Sequence, residues 1–102
     1  MDACKQTDEA LRVYGEMKRA KIEGGAKTAS FLGQMTAALA RLELDEQITV
    51  QSLYVLQMTQ EEAAEATDCD TSTISRRKRR ALERLALLLY PDQYLQDKGL
   101  HI

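Results

Sequence analysis

Between Thr59 and Leu89 the order of residues leaves few choices of fold. Thr59 precedes Gln60-Glu61-Glu62, so its hydroxyl can cap a helix while Glu62, three residues on, closes a capping box. Ala63, Ala64 and Ala66 give that short helix a face of small side chains, where a second helix can approach closely. Thr67-Asp68-Cys69-Asp70 breaks the pattern. Asp70 then caps a longer helix, about Thr71 to Leu89, which Tyr90-Pro91 stops. Ile74 falls ten residues after Ala64, one turn past the cap, where an apolar anchor locks the two helices together. Leu82, Leu85 and Leu89 continue that inward face. Two helices joined in this way form a helix-turn-helix.

Charge gives the second helix a direction. The whole chain carries a formal charge of −2, which argues against a generally basic, sticky protein. From Arg41 to Asp70, however, there is one basic residue against eight acidic ones, and from Thr71 to Arg84 six basic against one acidic. Nucleic-acid contact depends on the local field, so a focused basic patch on an acidic chain suffices. With Ile74 and the leucines turned inward, Thr71, Ser72, Thr73, Ser75, Arg76 and Arg79 can face out. Small hydroxyl residues at the start of a helix reach base edges without clashing, and arginine grips guanine bidentately. Thr71, Ser72, Thr73, Ser75 and Arg76 are therefore the base-reading candidates. Arg77, Arg79 and Arg80 are the phosphate-contact candidates, with Lys78 beside them.

The rest of the chain reads as helix too. At 102 residues, 44% of them hydrophobic, it supports one domain or one domain with an appendage. Alanine, leucine, glutamate, arginine and glutamine are good helix formers, and the expected class is all-α. A first helix is expected from Asp8 to Glu23, capped by Thr7, with Leu11, Tyr14 and Met17 inward and Gly24-Gly25 as its stop. A second runs from Thr28 or Ser30 to Leu44. A third runs from Glu46 to Gln57 behind an Asp45 cap, burying Ile48, Leu53, Tyr54 and Leu56. The expected organisation is a helical N-terminal hairpin over 1–44, a helix-turn-helix domain over 45–90 and a tail over 91–102. Tyr94, Leu95, Leu100 and Ile102 are the tail residues able to pack back. The hairpin is a candidate dimerisation element.

Several function classes fall away. No apolar run approaches the ~20 residues of a membrane span. The opening Met1-Asp2-Ala3-Cys4-Lys5-Gln6 lacks the basic and apolar regions of a secretory signal. Cys4 and Cys69 have no cysteine neighbour at metal-ligand spacing and His101 is the sole histidine, so neither a metal site nor a cofactor site is expected. Isolated thiols suit a reducing cytoplasm. That one terminal histidine leaves no general base for a triad, and no catalytic residues are assigned. The five aromatic residues avoid the arginines, unlike the stacking platforms of single-strand binders.

Glu62-Ala63-Ala64, Ser72-Thr73-Ile74 and Arg80-Ala81-Leu82-Glu83-Arg84-Leu85 together resemble the fourth region of bacterial sigma factors. The likeness covers about 40 residues and extends to small phage and mobile-element regulators built on the same motif. It implies a promoter-reading domain in which residues 71–89 enter the major groove of double-stranded DNA, with RNA polymerase as a candidate partner. Three positions depart from the family pattern: Asp68 stands where glycine is common in the turn, Asp70 or Thr71 where an apolar residue is usual, and Lys78 where leucine is preferred. At this length the resemblance implies a transcriptional regulator and not a factor that initiates alone. The competing reading is a protein-interaction adaptor that uses the acidic 41–70 segment or the N-terminal hairpin.

Overall fold

In the computed structural model, described over residues 2–22 and 24–99, the other helices are arranged around the longest one. This is α5 (Thr71–Leu89); before it in the chain come α1 (Ala3–Ala20), α2 (Ala26–Leu39), α3 (Leu44–Val50) and α4 (Gln60–Ala66), and after it α6 (Pro91–Asp97). All regular structure among the described residues is helical, as the composition requires. Helices α1, α2, α3, α4 and α6 each pack against α5. Leu11 and Tyr14 of α1, Met35 and Leu39 of α2, Val50 of α3 and Leu85 of α5 belong to one buried cluster. Residues on both sides of position 44 therefore share a core.

Helix α1 begins earlier than its Thr7 cap predicts. Asp2 is the cap and accepts from the Lys5 backbone N–H at 2.7 Å. The Asp97 carboxylate, at the far end of α6, accepts from the Ala3 N–H, also at 2.7 Å. Thr7 is instead fully buried inside the helix and donates its hydroxyl to the Ala3 carbonyl. The expected tail thus holds a helix: α6 starts on Pro91, at the helical position that best tolerates a missing N–H, and returns to close the first turn of α1. Leu100 and Ile102 lie outside the described residues, as does Glu23, the expected end of α1. The helix stops at Lys21, which takes the left-handed conformation (φ 54°) ahead of the glycines.

Helix α2 ends at Leu39, five residues short of expectation, and Leu42 is buried from the turn after it. Helix α3 likewise starts on a different cap. Glu43, not Asp45, is the N-cap, and the Glu46 side chain closes a capping box by accepting from the Glu43 N–H at 2.9 Å. That register turns Glu46, Thr49 and Val50 inward. Ile48 and Leu56, expected in the core, are exposed.

Past Val50 the predicted continuous helix widens into a π-helical turn, Gln51–Val55. The cause lies in α1. A Cβ added at Gly15 would stand 2.0 Å from the Tyr54 carbonyl oxygen, so only glycine lets the two backbones meet there. One turn on, the Arg19 guanidinium donates to the Tyr54 carbonyl at 2.7 Å and to the Val55 carbonyl at 3.0 Å. Carbonyls that a helix end leaves without partners are thus satisfied from a neighbouring helix. The Tyr54 hydroxyl donates to Asp8, completing the seam. Burial pushes the Asp8 carboxyl up, but hydrogen bonds from Tyr54 and Arg12 outweigh it and hold it below the usual carboxylate range.

Alanine at position 15 should therefore destabilise the fold by about 1–3 kcal/mol or more, because both backbones must shift. Gly33, in α2, has nothing within 4 Å of its would-be Cβ. Gly33→Ala should stabilise by about 0.5–1 kcal/mol, as alanine does in an open helix interior. Urea midpoints of the two variants are expected to move in opposite directions, and a shared sign would refute the close approach.

Candidate nucleic-acid interface

The turn between α4 and α5 is built from local bonds that the residue types dictate. Thr59 Oγ1 accepts from the Glu62 N–H at 3.1 Å, and Glu62 returns to the Thr59 N–H at 2.9 Å. After α4, Asp68 takes the left-handed conformation (φ 54°), a region aspartate tolerates better than most residues. The absent turn glycine is thereby accounted for. Asp70 caps α5 as predicted, accepting from the Thr73 N–H at 2.8 Å. Ile74, 1% exposed, packs on Ala63 and Ala64, with Leu53, Met58 and Cys69 around them. The small face of α4 and the apolar anchor of α5 meet where the sequence places them.

The hydroxyl candidates divide at this cap. Ser72 and Thr73 both donate their hydroxyls to Asp70 Oδ1, at 2.7 and 2.9 Å. Thr73 Oγ1 also accepts from Arg76 at 3.2 Å. Thr71 and Ser75 are exposed. The Ser72 hydroxyl, with the Thr73 N–H and hydroxyl, holds the Asp70 carboxyl down at about 2.

The basic run Arg76 to Arg80 does not face one way. Arg76 and Arg79 are exposed and, among the described residues, form no ion pair. Arg77 and Arg80 turn toward α3, where Asp45 Oδ2 lies 3.4 Å from Arg77 Nε and 3.2 Å from an Arg80 terminal nitrogen. Lys78 points a third way. Half-buried, it sits with its ammonium 5.9 Å from the centre of the Tyr54 ring, near the Asp8–Tyr54 pair. Replacing the expected leucine here keeps an aliphatic stem on the core and adds a cation–π contact. Arg76, Arg77, Arg79 and Arg80 together with Thr73 and Asp45 line a cleft of about 470 Å³.

One turn further along α5, Arg84 lies 3.5 Å from Glu43 and 3.2 Å from Glu46. Glu46 is fully buried, so the pair matters more than its length suggests. One carboxylate oxygen takes the Glu43 N–H, and the other meets Arg84 Nε without hydrogen-bond alignment. Removing one partner of such a pair leaves an uncompensated buried charge. Glu43, Asp45 and Glu46 gather their oxygens within 4.8 Å, a spacing a cation could use, but Arg77, Arg80 and Arg84 already neutralise them. Sequence reasoning alone does not pick out these acids as partners of the basic helix. The available signal is the 77, 80, 84 spacing, a helical stripe of arginine facing a run of acid.

This geometry, an anchored helix-turn-helix with basic side chains along its second helix, agrees with a family comparison. The family model described as Sigma-70, region 4 matches residues 32–85, more than half of the chain. The chain belongs to the sigma-70 region 4 family. That family is one of DNA-binding helix-turn-helix domains and not of enzymes. The match begins within α2 and ends in α5, so α1 and α6 lie outside the matched residues, and both pack against α5. Neither a curated protein nor a solved structure gives a significant match. No helix among the described residues is long and apolar enough to cross a membrane.

The Asp70 cap predicts a pH dependence. Its folded value, about 2, lies below the ~3.9 of an unfolded aspartate. Its contribution is present above about pH 4 and is lost as the pH falls toward about 2. Asp70→Asn keeps a side-chain cap at neutral pH but not its charge-assisted bonds. The difference in melting temperature between parent and Asp70→Asn should therefore close over that acid interval. A constant difference would disprove the assignment.

Proposed function

We propose that this protein is a transcriptional regulator that binds duplex DNA sequence-specifically, with α5 in the major groove. The observation that carries the proposal is the exposure of Arg76 and Arg79 on a helix anchored by Ile74, in a chain of a DNA-binding family. Thr71, Ser72 and Ser75 are exposed near the N-terminal end of α5, the end that a recognition helix presents to base edges. Arg76 reads a base and Arg79 neutralises a phosphate. Thr73 acts through Arg76, whose guanidinium it holds. Lys78 supports the core, not the backbone of the duplex. RNA polymerase is the protein partner that family membership supports.

The adaptor reading of the acidic segment has less support. Glu43, Asp45 and Glu46 already face arginines of the same chain, so only the acids of 61–70 would be left to meet a partner.

Selection from a random duplex library tests the proposal directly. A single enriched motif is expected, and a pool that stays random would overturn it. On the selected site Arg76→Ala should cost about 1–3 kcal/mol and relax the preference at one position. Arg79→Ala should weaken all duplexes evenly and flatten the slope of log affinity against log salt by about one unit.

A further inference from the structure

Asp45 occupies an unusual place for a carboxylate on a helix-turn-helix. Its Oδ2 sits between the Arg77 and Arg80 guanidinium groups, at 3.4 and 3.2 Å, while Oδ1 is buried without a hydrogen-bond partner. The two arginines lie on the wall of the cleft that Arg76, Arg79 and Thr73 complete. An oxygen held between two guanidinium groups is the arrangement a phosphodiester takes on an arginine pair. The cleft thus combines four cationic side chains with one anion of the protein's own, placed where a ligand anion would go.

Resting on the duplex-binding reading above, we infer that this cleft seats one phosphate of the DNA backbone, which takes Arg77 and Arg80 over from Asp45. Both arginines are held near their binding positions beforehand, so less side-chain freedom is lost on docking. While Asp45 keeps both arginines, an encounter too loose to bring a phosphate into the cleft gains nothing from them. Asp45 is therefore a positioning residue for two phosphate contacts and a brake on indiscriminate binding. Arg84 takes no part in the exchange, since it does not line the cleft and is held by the buried Glu46.

The test compares the intact protein with Asp45→Asn, each in the parent and in an Arg77→Gln/Arg80→Gln background, on a labelled duplex of random sequence. Circular dichroism first establishes that each variant is folded. In the parent background Asp45→Asn should bind more tightly and steepen the salt slope by about one unit, which is about fourfold more affinity lost between about 50 and about 200 mM salt. In the background lacking Arg77 and Arg80 that gain should vanish. A gain of equal size in both backgrounds would reduce Asp45 to a distant charge and overturn the inference, as would no gain in the parent. Should Asp45→Asn not fold, the Nε–H resonances of Arg77 and Arg80 in the unaltered protein decide the matter: they should move when duplex is added, and unmoved resonances overturn the exchange. Failure of the unaltered protein to bind any duplex would overturn the duplex-binding reading as well, whereas binding with unmoved resonances overturns the exchange alone.

Discussion

The contact of α1 with the Tyr54 carbonyl governs how the second half of the chain is laid down. Gly15 lets the backbones touch, and Arg19 supplies the donors that the wide turn at Gln51–Val55 lacks. A helix end buried without such donors would leave polar groups unsatisfied, at a cost of about 1–3 kcal/mol each. The π-helical turn and the left-handed Gln57 after it then set where α4 begins. Because α4 carries the small face that receives Ile74, the seat of α5 traces back to a glycine on α1, about fifty residues earlier in the chain.

A second seam, between α3 and α5, decides what the basic helix can offer. Glu46 is buried because the capping box with Glu43 turns it inward, and burial is tolerable because Arg84 comes to it. With Arg84 held there, Arg80 and Arg77, one and two turns back, lie alongside Asp45. The same ladder leaves Arg76 and Arg79 exposed on the rim of the cleft and sends Lys78 to the Tyr54 ring. A run of five basic residues thus has three uses. Exposed single ion pairs contribute little to stability; here their weight lies in orientation.

Legibility differs sharply between neighbouring elements. The Thr59 and Asp70 caps are legible in the sequence because each side chain meets a backbone N–H three residues away, within the reach of local chemistry. Thr7 and Asp45 have the same chemistry, yet neither is a cap. Thr7 is inside α1 because Asp2 and Asp97 already serve its first turn, the latter from the other end of the chain. Asp45 loses its place to Glu43, whose capping box needs Glu46 in the core. Ile48 is exposed in the register that buries Glu46, Thr49 and Val50, and Leu56 is exposed past the π-helical turn. Helix α6 carries no apolar stripe of its own, and its order depends on α1 and α5.

By itself the sequence determined the helical class, the bounds of α4 and α5, and the meeting of Ala64 with Ile74. Those rest on caps, spacings and side-chain sizes that act over a few residues. The tertiary structure alone decided which basic side chains of α5 are free. Asp45 and Arg80 are 35 positions apart, and their pairing depends on the register of α3 against α5. An ion pair across two helices has no local signature, because each partner looks like an ordinary solvated charge until the backbones are in place.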